Sequence, residues 1–178
     1  MVDEVLEQLI EMGWEYWGPL QCTGQLVVAD PAYVGSEHAQ VEDDAKANFV
    51  VKARPGTWHV LVRRAPPDKA KCEDVEIWEL CVCHETTLLA DFEIAYDDAD
   101  ERAAIIVDSG KASVVDAELR DDAAFREDVF WGREGETVAN AGCTVLAGTG
   151  IGAYPVFTTG SDPVDFVLVV FEWDDDEE

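Results

Sequence analysis

The 178-residue chain sets 39 Asp and Glu against 12 Lys and Arg, a formal charge of −27 at pH 7, yet 48% of it is hydrophobic. A disordered acidic chain is far poorer in apolar residues, so the sequence specifies a folded protein that wears its acids outside. The same charge repels phosphate backbones and anionic lipids, which excludes direct binding to nucleic acid or to a membrane surface.

Residues 2 to 13 place Val2, Val5, Leu6 and Leu9 on one face with acids opposite, which predicts an N-terminal helix stopped at Gly13. "WEYWGPLQCTG" reads as an aromatic connector broken by Gly18-Pro19, and Gln25 to Ala29 as a strand ended by Asp30-Pro31. Residues 35 to 46 are polar without an apolar period. "NFVVKA" and "TWHVLVRR" predict a hairpin turned by Pro55-Gly56, and "DVEIWELCVCH", "TLLADFEIAY" and "AAIIVDSG" three further strands. "KASVVD" follows the Ser109-Gly110 turn as a return strand. Asp116 is placed to cap a second helix running to about residue 131, and "ETVANAGCTVLAG", "AYPVFTT" and "DFVLVVFEW" supply the last strands. The sum is an α+β, β-rich fold: a mostly antiparallel sheet or sandwich with two helices, in a single domain over 1–173 with an acidic tail at 174–178.

"GTGIGAYPVF" raises the possibility of a phosphate loop. Such a loop needs glycines that feed a helix N-terminus, whereas β-rich residues and Pro155 follow here and the Lys-Ser/Thr pair is absent. The stretch reads as a bend between strands. Taken in order, "VVADPAYV", "RPGTWHV", "VDSGKASVVD" and "GTGIGAYPVF" resemble an uncharacterised bacterial family known as a domain of unknown function, over roughly residues 24 to 171. That family usually carries an Asp between the last glycines of its late loop, where this chain has Ile151. The resemblance implies a fold and no activity.

Asp30 and Asp108 each end a strand beside a turn; if the strands are neighbours, the carboxylates can meet and bind a divalent cation, or else accept backbone hydrogen bonds within the turns. Asp116 is a third acid of this kind. Cys81 and His84 in "CVCH" project from opposite faces of a strand, which argues for buried free thiols over a zinc site. No serine sits in a G-x-S-x-G elbow, the lone "VDSG" lacks the second copy that an aspartic protease needs, and His59 reads as structural. Trp14, Tyr16 and Trp17 either dock the first helix or form a contact surface.

Five Cys without a disulfide framework and an acidic N-terminus predict a cytoplasmic protein with reduced thiols, no signal peptide and no membrane span. The expectation is a non-catalytic binding protein with no cofactor and no metal, its acidity reflecting halophilic adaptation or a basic protein partner. A ligand pocket, if present, falls at Asp30, Asp108, Ser109, Gly110, Gly152 and Tyr154. Two other classes stand beside this one: an acidic partner-blocking protein of the immunity or nucleic-acid-mimic type, and a metal-assisted hydrolase.

Overall fold

Strands such as Ile77–His84 and Gln25–Ala29 bury nearly every residue, so both of their faces must be covered. The computed structural model describes residues 1–38, 45–64, 77–147, 151–160 and 162–171. In chain order it contains α1 (Val2–Glu11), β1 (Trp14–Cys22), β2 (Gln25–Ala29), β3 (Ala45–Lys46), β4 (Asn48–Lys52), β5 (Gly56–Arg64), β6 (Ile77–His84) and α2 (Glu85–Asp98). There follow β7 (Asp100–Val107), β8 (Lys111–Asp116), α3 (Ala123–Phe130), β9 (Gly142–Leu146), β10 (Gly152–Thr159) and β11 (Phe166–Val170).

A seven-stranded sheet, ordered β1-β5-β6-β11-β10-β7-β3, faces a four-stranded sheet ordered β4-β2-β8-β9. Neighbours are antiparallel except β3, which runs parallel to β7. Trp17, Leu20, Trp58, Val60, Val107 and Val114 are among the side chains that fill the space between the sheets. Helices α1 and α2 cover the outer face of the large sheet through Leu6, Leu9, Leu88 and Phe92, and α3 covers the small sheet through Phe125 and Val129. The fold is therefore α+β and β-rich, with helices outside a two-sheet sandwich.

Several expectations need correction. "WEYWGPLQC" is strand β1, whose register shifts between Tyr16 and Gly18. That bulge at Trp17 adds one residue, so Trp14 and Tyr16 face the helices while Trp17, Leu20 and Cys22 face the inter-sheet core. "TLLADFEIAY" belongs to α2: its buried Leu88, Phe92 and Ala95 recur at helical spacing, and the His84 ring accepts from Thr86 N–H at 3.1 Å as the cap. This makes a third helix among the described residues. Asp91 leaves helical geometry inside α2, and its carboxylate accepts from Ile94 N–H at 3.2 Å to restart the helix. Asp116 does not cap α3; Asp122 does, accepting from Phe125 N–H at 2.9 Å. The predicted strand at 136–148 shortens to β9. The polar stretch at 35–46, Cys72, the glycines at 148–150 and the acidic tail fall wholly or partly outside the described residues.

The largest correction concerns the turns. Pro55-Gly56 is not a hairpin, because β4 lies in the small sheet and β5 in the large one. The Ser109-Gly110 turn likewise carries the chain from β7 in the large sheet to β8 in the small one, and Thr23-Gly24 joins β1 to β2 in the same manner. Each of these corners is tied by a buried polar side chain. His84 Nε2–H donates to the Pro55 carbonyl at 3.0 Å while its Nδ1 serves the α2 cap, which fixes the ring's orientation and tautomer. Asp116 accepts from Thr23 N–H at 3.3 Å and from its hydroxyl at 2.8 Å. Asp30 holds the third corner.

Gly56 sits at φ +125°, and a Cβ there would stand 3.0 Å from His84 Nε2. Gly56→Ala is expected to cost about 2 kcal/mol or more, through a disfavoured φ and displacement of the His84 tie. Urea unfolding of the variant against wild type checks this; an unchanged midpoint would contradict it.

Candidate functional site

Asp30 follows the last residue of β2 and is completely buried. Its Oδ2 accepts from the N–H groups of Asp108 at 2.8 Å and Ser109 at 2.7 Å. Its Oδ1 accepts from Ala32 N–H and from the Ser109 hydroxyl, both at 2.8 Å. Four donors occupy the lone pairs of one carboxylate, which is how a buried charge is made tolerable. Asp108 and Ser109 are exposed beside it, and Asp108 accepts from the Tyr33 hydroxyl, a bond that pushes the phenol's pKa up.

The structure thus brings together Asp30, Asp108, Ser109 and Gly110 at one end of the sandwich, with Gly152 paired across the ladder to Val107, next to Asp108 in the chain. Tyr154 joins them only at Gly152, where a Cβ would stand 3.6 Å from its Cζ and its hydroxyl oxygen. Its ring lies in the inter-sheet core, 5.0 Å from the Phe171 ring, because alternation along β10 turns Tyr154 and Val156 inward. Asp30 has no oxygen left for a cation, so the turn hydrogen-bonding alternative is the one the geometry realises. The glycine-rich stretch leads from β9 into β10, a strand and not a helix.

The cysteines and histidines are similarly committed to packing. Cys81 and Cys83 face the helix-covered core while Val82 faces the inter-sheet core, and Cys22, Cys81, Cys83 and Cys143 are free and buried. Burial pushes their thiols up, to about 11 for Cys22 and about 12 for Cys143, so none is an activated nucleophile. His59 is buried between the Tyr16 hydroxyl at 2.9 Å and Glu85 Oε1 at 3.2 Å.

A second region was not foreseen, because α2 read as a strand. Between α1 and α2 runs a groove in two parts, cavities of about 360 Å³ and about 240 Å³ that share Met12, Phe92 and Glu93. Leu9 and Leu88 floor the larger part; Trp14, Phe92 and Tyr96 line the smaller. The spacing Leu88, Phe92, Ala95/Tyr96 was the signal available in the sequence. The two helices carry acids and no Lys or Arg of their own, while Arg63 of β5 lines the smaller cavity and Arg54 donates to the Thr86 hydroxyl on α2 at 2.7 Å. The chain has no Lys or Arg before Lys46 and none between residues 77 and 101, while Glu4, Glu7 and Glu11 on α1 and Asp91, Glu93 and Asp97 on α2 are exposed. Around α3 the signs mix: Arg126 pairs with Glu37 at 2.6 Å, and Arg120 donates to the Val34 carbonyl.

Compared with family models, with curated proteins and with solved structures, the chain finds no match. The family resemblance finds no support in these comparisons and assigns no residue a role.

Asp30→Ala strands three backbone N–H groups and the Ser109 hydroxyl, and is expected to cost about 3 kcal/mol or more, against less than about 1 for Asp108→Asn. Chemical denaturation of the two variants tests the contrast, and equal effects would contradict it. Stability should also fall at alkaline pH. The Cys22 thiol ionises more easily unfolded than folded, so its contribution is complete below its ordinary value of 9.0 and is lost as pH rises to about 11. Urea midpoints across that window should decline, less steeply in Cys22→Ala; identical slopes would refute the assignment.

Proposed function

We propose that this is a non-catalytic binding protein that docks a basic protein on the layer formed by α1 and α2. The observation that carries the reading is that the side chains of α1 and α2 themselves bear only acidic charge, with Arg63 and Arg54 reaching them from the chain before β6, whereas Arg120 and Arg126 stand among the acids around α3 itself. Acids needed only for solvation have no reason to exclude basic residues from two adjoining helices; helices that meet a cationic partner do, since like charges at an interface cost affinity and slow encounter. The groove between the helices gives such a face a concavity for a partner to fill.

Metal-assisted hydrolysis loses its motivating pair, because all of Asp30's acceptor positions are engaged within the fold. Among the described residues no cluster of three His, Cys, Asp or Glu side chains is placed to hold a metal ion, and no helix is long and apolar enough to cross a membrane. The partner-blocking alternative is a special case of the same docking face, in which the basic partner's own site is what becomes covered.

Neutralising Glu4, Glu7, Glu11 and Asp98 to the corresponding amides should weaken binding of a lysine-rich peptide at low ionic strength by about tenfold or more. Amide replacement of Glu118, Glu127, Asp128 and Glu136, an equal number of charges on the α3 side, should change it less than about threefold. Calorimetric titration of both variants decides the matter. Equal losses would mean that only net charge counts, and the reading would fail.

A further inference from the structure

The smaller part of the helix groove differs from the rest in its chemistry. Three aromatic rings converge there: Trp14 stands edge-on to Phe92 at 5.5 Å and to Tyr96 at 6.1 Å, and Phe92 stacks with Tyr96 at 6.4 Å. Glu93 and Asp97 sit on its rim. Arg63 places its guanidinium over the Trp14 ring, 5.7 Å from the centroid, so this wall already carries one cation. That charge is balanced locally: Arg63 Nε lies 2.6 Å from Glu79 Oε2, an ion pair whose angles fall short of a hydrogen bond, and Tyr96 donates to the other oxygen of Glu79. With Arg63 and Glu79 cancelling, the rim carboxylates leave the notch net negative.

A cavity of about 240 Å³ falls below the range of pockets that enclose a whole small-molecule substrate, and suits one long side chain. It opens at Met12, which is exposed, into the longer trough floored by Leu9 and Leu88. An aromatic notch with an acidic rim, continuous with a longer trough edged by Gln8, Asp91 and Glu93, is the complement of a basic segment that projects a lysine or arginine.

We propose that the Trp14–Phe92–Tyr96 notch seats a lysine or arginine side chain of the basic partner, with the partner segment running along the trough between α1 and α2. This rests on the reading of the helix layer as the docking face. The ammonium or guanidinium lies against the aromatic rings between Glu93 and Asp97, on the side away from Arg63, and the aliphatic stem is buried along Met12 and Phe92.

The test uses the full chain and a helical peptide of about 14 residues with leucines on one face and lysines on the other. Two variants change the notch without touching the core: Met12→Lys, which puts a fixed positive charge at its mouth, and the Glu93→Gln/Asp97→Asn pair. Each is expected to weaken the peptide by about tenfold or more while leaving the thermal unfolding midpoint near wild type. If the Glu4/Glu7/Glu11/Asp98 amide variant weakens binding but these two do not, the acidic layer is the docking face and the notch is not its seat. If none of them matters, both readings fall. n-Butylammonium, titrated alone, is expected to bind far more weakly than the peptide; binding as tight as the peptide's would make the notch a small-amine site and overturn the docking of a segment.

Discussion

Everything in this molecule hangs on how its chain turns from one sheet to the other. The Asp30 carboxylate, buried at the end of β2, gathers the N–H groups and the hydroxyl of the turn between β7 and β8. It thereby fixes a strand of the large sheet to two strands of the small one. Asp116 and His84 do the same at two other corners, each through a side chain that is itself buried. Burying a carboxylate is costly unless donors surround it, so these ties are strong and also unforgiving. With its corners pinned, the sandwich can hold a close-packed core of Val, Leu and Trp between two twisted sheets.

The same constraint explains why polar residues that look poised for chemistry are spent on architecture. An Asp before a turn is the residue type of both a cation ligand and a turn acceptor, and its neighbours in sequence are alike in the two cases. Only the positions of the turn N–H groups separate them. At Asp30 those groups point at the carboxylate. At Cys81, Cys83 and His59, depth of burial and existing partners make the same decision.

Much of the fold was legible from local pattern, and the failures share a cause. Alternation of apolar residues marks a strand but says nothing about which sheet the next strand joins, so two corners read as hairpins. A turn such as Pro55-Gly56 serves either role; what distinguishes them is the partner strand, which for β5 is β1 and β6, in segments up to about forty residues from Gly56 along the chain. "TLLADFEIAY" read as a strand because Thr, Phe, Ile and Tyr favour β structure, yet Leu88, Phe92 and Ala95 repeat at helical spacing and packing on the large sheet prevailed. Trp17 could not be recognised as a bulge from sequence, since its only signature is the change of face it causes. The grouping of Asp30, Asp108, Ser109 and Gly110 was legible because both turns announce themselves. The inward direction of the Tyr154 ring, which meets the group only at Gly152, was not, since its proximity to the glycines in sequence hid it. The helix groove was invisible once α2 had been read as β.

The account's central claim is that the fold's stability comes from three packed cores and tied corners and does not depend on salt to screen its acids. Self-repulsion among surface acids is a long-range cost that screening relieves, whereas a fold held by burial does not depend on that relief. Thermal unfolding in low salt and again in molar KCl separates the two. The account predicts a cooperative transition already present in low salt, with only a modest upward shift in KCl. A chain that is unfolded in low salt and folds only in molar KCl would contradict it, and would make the charge of −27 a solvation device spread over the whole surface.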